Sequence, residues 1–327
     1  MENLLFKTIP DRVINSLFNE FDEHVNKYTT VYHYTSLESY SKIIENGEIW
    51  FSNIQSLNDP QEIKFGINTV INHLISDGEI RSKLKGITEK EEIFSNRSII
   101  EDNVFVFSTS TAADTYQQWL NYGDSGHGIC IGMDRGDLFD LMRTKMYGRK
   151  FIYTYPVQYF DGDKNVSFYR IKNFKKAITT CFSEIYELQN SKELDSELHR
   201  LLIVLASIIK DKFHKEEKEI RYLVFYPFAN MALPRELLQR NQVDIVFKNQ
   251  SFSMISKLVF HNRNALNLNE NVHISDRSND YRFISKLILG PKNSGNSYLF
   301  RNLFLFMKQF NTEFNMGQIK FSEGILK

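Results

Sequence analysis

The sequence predicts an α+β fold in which helices surround a central mixed or antiparallel sheet. Strand and helix patterns are interleaved along the chain, but their spacing lacks the steady alternation of a doubly wound parallel sheet. Hydrophobic residues make up 42% of the 327 positions, which is typical of globular proteins, and no low-complexity linker interrupts them. We therefore expect one domain over residues 1–327, with an N-terminal helix and a helical insertion at about 165–213.

The composition argues against several classes of protein. Lys plus Arg and Asp plus Glu both number 40, so no net charge attracts nucleic acid, although a local basic groove remains open. Cys130 and Cys181 lie far apart and fit neither a disulfide framework nor a zinc site, and the histidines form no metal set. These features predict a reducing, cytoplasmic location. No signal peptide is expected, and the apolar stretch 298–307 is too short to cross a membrane and contains Arg301.

The first hundred residues show alternating elements with recognisable ends. Ser36 precedes apolar residues at helical spacing and Gly47 follows them, which predicts an N-cap and a helix stop. The sequence LNDP at 57–60 predicts a turn, because the residue before proline disfavours helix. The predicted elements are helices at 11–25, 36–47 and 61–75, strands at 29–34 and 48–52, and a charged segment at 77–101 of mobile helix and loop.

The rest of the chain continues in the same way, and Pro156 marks an edge or a bend in its strand. The predicted strands are 103–110, 126–134, 150–160, 219–228, 243–247, 257–261 and 283–290. The predicted helices are 114–123, 167–189, 194–213 and a buried amphipathic helix at 298–307.

The stretch VYHYTS at 31–36 ends a predicted strand in hydrogen-bonding side chains. Alternation along a strand places His33 and Thr35 on one face and Tyr34 on the other. A histidine and a threonine on one face of a strand end can bind a ribose and an amide. The alternative is a hydrogen-bonded interior histidine beside a serine that caps a helix.

Two further strand ends carry polar groups. VFVFSTS ends in Ser108 and Thr109, whose small hydroxyls suit either a sugar-phosphate site or a turn. In EKEIRYLVF, Glu217, Glu219 and Arg221 alternate, so all three can face one side. A carboxylate there could stabilise a cationic sugar ring, and Arg221 could bind a carboxylate or a phosphate. The alternative is a Glu–Arg ion pair.

The stretch WLNYGDSGHGICIGMD at 119–134 contains glycines that could let the backbone approach a ligand, but it lacks the order of a dinucleotide fingerprint. Turn-forming glycines and a core position for Trp119 are the simpler interpretation. LNDP with Glu62 could bind a cation, although a capped turn is the simpler interpretation.

These motifs together resemble an uncharacterised bacterial family of unknown function. The matching stretches are YHYTS, a helix ending in ENG, IWFSN, LNDPQE, EKEIRYLV and KLILGP, and they extend over roughly residues 30–291. The opening is also similar to ADP-ribosyltransferase-type domains, and that resemblance implies a sheet of the same type.

By this resemblance, His33 would hold the ribose of NAD, and Ser108 with Thr109 would lie beside the nicotinamide. The HYT form is similar to the branch that contains RNA phosphotransferases and DNA-modifying toxins. The STS stretch is similar to the arginine-anchored branch instead, so the sequence combines features of both.

The resemblance further implies that Glu219 is the catalytic carboxylate, with Glu217 two residues before it. Cleavage of the ribose–nicotinamide bond would give an oxocarbenium-like ribose, which Glu219 would stabilise without a metal. Tyr34 or Tyr122 would stack on the nicotinamide.

The expected protein is a toxin or phage-defence effector that transfers ADP-ribose from NAD to a nucleic acid or a protein, with an antitoxin as a further partner and no membrane association. An NAD hydrolase and a non-enzymatic module that binds a nucleotide or nucleic acid remain the alternatives.

Overall fold

A computed structural model describes residues 26–57, 59, 61–90, 104–146, 151–167, 174–187, 194–225, 243–248, 251–260 and 281–324. The strands are β1 Thr30–Thr35, β2 Glu48–Asn53, β3 Val104–Ser110, β4 Ile129–Asp134, β5 Phe151–Pro156, β6 Gln158–Asp161, β7 Lys164–Asn165, β8 Ile209–Asp211, β9 Glu219–Phe225, β10 Val243–Lys248, β11 Ser251–Val259, β12 Ile284–Leu289 and β13 Ile319–Phe321. The α-helices are Leu37–Asn46, Glu62–Thr69, Gly78–Lys90, Tyr116–Asn121, Arg135–Met146, Phe174–Glu187, Leu194–Ala206 and Ser297–Lys308.

The chain divides into two compact units. Unit 1 draws its described residues chiefly from Phe51–Phe107 and Arg149–Ser256. Unit 2 draws them from Tyr28–Trp50, Ser108–Gly148 and Lys257–Lys327. Within the described parts of both units, no helix has the length and apolar character needed to cross a membrane.

Unit 1 contains paired strands and a large apolar core built by helices. β5 pairs antiparallel with β9, β6 runs parallel to β8 and antiparallel to β7, and β10 pairs antiparallel with β11. The core combines isoleucine, leucine and valine side chains from the helices Glu62–Thr69, Gly78–Lys90, Phe174–Glu187 and Leu194–Ala206. Burial of this apolar surface is the main force that holds the unit together.

Two helices of unit 1 approach each other backbone to backbone. A Cβ atom added to Gly66 would lie 2.4 Å from the carbonyl oxygen of Ala206, so only glycine fits there. Glu62 lies four residues before Gly66, hence on the same face of its helix. The close contact therefore brings Glu62 to the chain that follows Ala206.

Unit 2 is organised around β1, β4 and β12. β1 pairs antiparallel with β4, β4 with β12, and β12 runs parallel to β13. The end of β3 joins through the pair Tyr32–Ser110. The hydroxyl of Tyr281 donates to the Ile44 carbonyl at 2.9 Å, and its ring packs edge-on against Phe260. These contacts fix the helix Leu37–Asn46 against its own unit.

The predicted α+β class is confirmed, because helices accompany strands that pair in both directions. The predicted helix start and stop at Ser36 and Gly47 are also confirmed. Ser36 accepts a hydrogen bond from the Ser39 amide, and Gly47 is left-handed with φ 65°. The resemblance of the sheet to ADP-ribosyltransferases stays a prediction, as does the single domain. The predicted helix at 11–25 and Asn58 and Pro60 of the LNDP turn lie outside the described residues.

The prediction of a helix over 194–213 is wrong beyond Ala206. The helix ends at Ala206, Ile209–Asp211 forms β8, and Lys212–Glu217 forms a 3-10 helix. The hydroxyl of Ser207 donates to a carbonyl of the last turn, and the next residues pair with β6 instead. Tertiary pairing overrides an apolar pattern that also suits a helix.

Other predicted boundaries shift. Within the single strand predicted at 150–160, the described residues form β5 and β6, which separate just after Pro156. The strand predicted at 257–261 is the last part of β11, which begins at Ser251 and ends at Val259. The helix predicted at 298–307 is present, but Leu303 and Met307 are its buried residues while its other apolar side chains are partly or fully exposed.

Candidate functional site

Five buried ionisable side chains of unit 1 form what we call the charge cluster: Glu62, Lys210, Glu217, Glu219 and Arg221. Each is at most 6% exposed. Charged residues are rarely buried unless they are paired, and dense buried groups of this kind occur often at functional sites. The charge cluster contains the sequence-predicted Glu219 and Arg221.

Three segments assemble the charge cluster. Glu62 begins the helix whose backbone contact fixes its place, and Lys210 lies on β8 opposite Tyr159. Lys218 adopts a left-handed conformation with φ 46°, which reverses the chain between Glu217 and Glu219. Because of this reversal, both carboxylates reach the same lysine.

Lys210 is the centre of the charge cluster. Its Nζ lies 2.8 Å from Glu217 Oε2, 3.0 Å from Glu219 Oε2 and 3.3 Å from Glu62 Oε2. An ammonium group has three N–H donors, so three carboxylates match its capacity. Burial lowers the pKa of Lys210, but the surrounding carboxylates outweigh burial and hold its pKa well above the usual value.

Arg221 occupies the other side of the Glu219 carboxylate. Its Nε donates to Glu219 Oε1 at 2.7 Å and its Nη2 to Glu219 Oε2 at 3.2 Å, a bidentate pair. Its Nη1 donates to the Ser207 carbonyl at 2.5 Å and forms an ion pair with Glu62 Oε1 at 2.6 Å. The Glu–Arg ion pair that the sequence left open is therefore present, and the backbone amide of Glu219 donates to the Tyr159 hydroxyl.

His214 lies at the rim of the charge cluster, with 36% of its side chain exposed. Its Nδ1 is 3.2 Å from Glu217 Oε1, and this hydrogen bond raises the pKa of His214. Burial raises the pKa of Glu217, but the His214 hydrogen bond and the charge of Lys210 together lower it by more. The pKa of Glu217 therefore lies below its usual value. The three carboxylates face two permanent cations, and His214 adds a third positive charge when it is protonated.

The predicted ribose-binding residues lie in unit 2. His33 Nδ1 is 3.1 Å from the Ser108 carbonyl. Because a carbonyl only accepts, Nδ1 donates this hydrogen bond, and in the neutral form of the ring Nε2 is then the acceptor nitrogen. Thr35 follows on the same face of β1 and is half-buried, as is Ser108, whereas Thr109 is buried. The two strand ends thus meet at His33.

Tyr34 has a supporting role in the core of unit 2. It is 5% exposed, donates to the Ala112 carbonyl and accepts from the Thr115 amide, both at 3.2 Å. Its ring meets Trp119 edge-on, 4.9 Å between centroids, and Tyr122 packs against the same apolar group. Burial, together with the nearby Cys130, raises the pKa of Tyr34 far above its usual value. The core position expected for Trp119 is confirmed.

Asp114 anchors a segment near the end of the described chain. It has φ 55° and accepts from Trp119 Nε1 at 2.7 Å, from the Ser322 hydroxyl, from the Glu323 amide at 2.7 Å and from the Gly324 amide. No local pattern indicates this contact, because Ser322, Glu323 and Gly324 lie about 200 residues from Asp114 in the chain.

The structure places the predicted site residues in separate groups. His33 is joined to Ser108, Tyr34 packs on the opposite face of β1, and Glu219 is joined to Arg221. His33 and Ser108 belong to unit 2, whereas Glu219 and Arg221 belong to unit 1. The meeting of all these residues around one NAD molecule stays a prediction.

Two residues of the charge cluster were missed or misread in the sequence. Lys210 fell inside a stretch predicted as helix, and its only local signal was a lysine directly after two buried isoleucines. Glu62 forms ion pairs with Lys210 and Arg221, a role that differs from the cation ligand at the LNDP turn suggested by the sequence. Among the described residues, no group of three or more His, Cys, Asp or Glu side chains could hold a metal ion.

Comparison with known proteins gives one match. The family described as "Protein of unknown function (DUF2971)" matches residues 118–222. This segment includes Tyr122, Glu219 and Arg221 but neither His33 nor Ser108. No curated protein and no solved structure matches the chain. The match agrees with the resemblance to an uncharacterised family.

Proposed function

We propose that the protein breaks the bond between ribose and nicotinamide in NAD and transfers the ADP-ribose to a nucleic acid or a protein, as a cytoplasmic toxin or phage-defence effector controlled by an antitoxin-like partner. The observation that carries this proposal is the hydrogen bond between His33 and Ser108. These are the two residues that the resemblance to ADP-ribosyltransferases puts on opposite sides of the scissile bond, and they are 75 positions apart in the chain.

His33 would bind the ribose through Nε2. Its Nδ1 is committed to the Ser108 carbonyl, so the ring is held in one tautomer and one orientation. The acceptor Nε2 suits a ribose hydroxyl, which must donate. Thr35 on the same face could bind the carboxamide, because a hydroxyl both donates and accepts.

Glu219 is the proposed stabiliser of the cationic ribose. In the reaction, the C1′–N bond breaks, its electron pair leaves with neutral nicotinamide, and C1′ becomes electron-poor. The acceptor then bonds to C1′ and loses its proton to water. Lys210 and Arg221 hold the Glu219 carboxylate in place, and one of its oxygens must exchange a cation for a ribose hydroxyl to act on the substrate.

The engagement of Glu219 favours a second candidate, a module that binds a nucleotide or nucleic acid without chemistry. Both oxygens of Glu219 already bind cations, and the residue is 5% exposed. In that case the charge cluster stabilises unit 1 and the His33 strand end binds the ligand. NAD hydrolysis, with water as the acceptor, differs from transfer only in the final step.

Incubation of the purified chain with NAD labelled in both halves separates these candidates. Free nicotinamide indicates an enzyme, and label carried from the adenylate half into added RNA, DNA or protein indicates transfer rather than hydrolysis. We expect Glu219→Gln to abolish nicotinamide release while Glu216→Gln, an exposed neighbour, retains it. Release at the wild-type rate by folded Glu219→Gln would exclude Glu219 from the mechanism, and no release by wild type under any condition would favour the binding module.

A further inference from the structure

A half-buried lysine crosses the middle of the sheet in unit 2. Ser110 pairs with Tyr32, Tyr32 with Gly132, and Gly132 with Lys286, so these four residues form one row across β3, β1, β4 and β12. Paired residues share a face, and neighbouring residues along a strand face opposite sides. The row therefore lies on the face of β1 opposite His33.

A β-bulge puts Lys286 on this face. Ile284 pairs with Met133 and Lys286 pairs with Gly132, so Ser285 is an extra residue in β12. Without it, Ile284 and Lys286 would share one face of the strand. Bulges re-aim side chains and are common beside functional sites. The Ser285 hydroxyl donates to the Gly132 carbonyl at 3.1 Å and secures the bulge.

Gly132 provides the path for the lysine. A Cβ atom on Gly132 would lie 2.5 Å from Lys286 Cγ and 3.3 Å from Tyr32 Cε1. Any side chain at position 132 would therefore compete with the aliphatic stem of Lys286 for the space over β4, between β1 and β12. With glycine there, the stem lies across β4 and the ammonium reaches Tyr32.

Lys286 has no carboxylate partner within 4 Å among the described residues. Its Nζ donates to the Tyr32 hydroxyl at 3.2 Å and lies 5.3 Å from the centre of the Tyr32 ring. A hydroxyl accepts a hydrogen bond from only one of the three N–H groups of the ammonium and does not neutralise its charge. Fully buried lysines almost always have an anionic partner, because an unpaired buried charge is costly, and the half-buried Lys286 bears part of that cost.

We propose that Lys286, Tyr32 and Gly132 form a phosphate-binding site for a nucleotide-like ligand. Lys286 supplies the charge and Tyr32 supplies a hydroxyl and part of an aromatic surface, a combination that binds phosphate beside a base. The site lies on the opposite face of β1 from His33, and it does not depend on whether the protein cleaves NAD.

Calorimetric titration of the full chain with ADP, inorganic pyrophosphate and adenosine tests the proposal. We expect ADP and pyrophosphate to bind, with affinities that fall as salt rises, and adenosine to bind more weakly than ADP. Lys286→Met should weaken ADP binding at least about tenfold, because it removes a charge-assisted hydrogen bond. Lys292→Met, an exposed lysine of the same unit, should leave the affinity unchanged.

Two more variants keep the test sharp if Lys286→Met unfolds, which a melting curve detects. Lys286→Arg retains the charge and should retain most of the affinity. Gly132→Ala retains the lysine but blocks its path, and it should lose affinity like Lys286→Met. Equal ADP binding by wild type and folded Lys286→Met, equal binding of adenosine and ADP, or failure of wild type to bind both phosphate-bearing probes would each overturn the proposal.

Discussion

Replacing Lys210 by methionine removes the centre of the charge cluster without opening a large cavity. Lys210 is 4% exposed and lies within 3.3 Å of three carboxylates, those of Glu62, Glu217 and Glu219. In Lys210→Met, Arg221 remains as the sole permanent cation of the cluster to balance the three acids. Breaking a buried ion pair on one side costs about 3–5 kcal/mol, because a buried charge loses its partner. We expect the free energy of unfolding to fall by about that amount at neutral pH.

Lys212 offers a matched control two residues away. Its Nζ binds Asp161 at 2.9 Å, much like a pair of the charge cluster, but the two side chains are 41% and 50% exposed. Exposed pairs contribute about 0–1 kcal/mol, so Lys212→Met should change stability little.

Urea denaturation followed by far-UV circular dichroism measures both variants. The difference between them should shrink as pH falls towards 4, because the carboxylates left by Lys210→Met can then take up protons. If Lys210→Met costs no more than Lys212→Met at neutral pH, the charge cluster is not buried and paired as described.

Four further predictions concern protonation, packing and hydrogen bonding. The folded-state pKa of His214 is raised, so the contribution of His214 to stability is complete below the ordinary histidine pKa of about 6.5 and is lost as pH rises through the folded-state pKa. We therefore expect His214→Gln to be less stable than wild type at pH 5.5 but equally stable at pH 9. Urea midpoints at the two pH values measure this difference. The lowered pKa of Glu217 acts in the opposite sense, so Glu217→Gln should destabilise above about pH 4.5 and little in strong acid. Gly66→Ala should destabilise the protein by about 1–3 kcal/mol or more, since the added Cβ would lie 2.4 Å from backbone. Gly86→Ala places its Cβ in open space and should stabilise its helix by up to about 1 kcal/mol. Equal melting temperatures for the two variants would contradict the close contact at Gly66. Tyr34→Phe leaves the partly buried Ala112 carbonyl and Thr115 amide without the Tyr34 hydroxyl and should lower the free energy of unfolding by about 1–3 kcal/mol, as measured by thermal melts. No loss would mean that water replaces the hydroxyl.

Local sequence signals were sufficient to predict the first helix and strands of the described chain. Ser36 and Gly47 bound a helix because a cap and a left-handed stop depend on the residues beside them. The strands on either side follow from alternating β-branched and aromatic residues. In contrast, the helix Arg135–Met146 was not predicted, because Leu138 and Met142 are its fully buried residues and its other positions are mainly polar.

The candidate site could be predicted only in part. The prediction that Glu217, Glu219 and Arg221 face one side agrees with their place in one cluster, but Glu217 reaches it from a 3-10 helix through the turn at Lys218 and not by strand alternation. Their partners Glu62 and Lys210 come from other segments, and only tertiary packing brings them to the same place. The bulge at Ser285 was equally hidden, because a one-residue shift in strand pairing leaves no trace in composition or periodicity.

The proposed role of His33 in NAD cleavage is tested by comparing nicotinamide release by wild type and by His33→Ala. His127→Ala, which changes an exposed histidine of the same unit, serves as the control. We expect release by wild type and His127→Ala, and release at least about a hundredfold slower by folded His33→Ala, because a ribose that is not positioned loses much of the catalytic advantage. Equal release by wild type and His33→Ala would contradict the role assigned to the strand end where His33 meets Ser108.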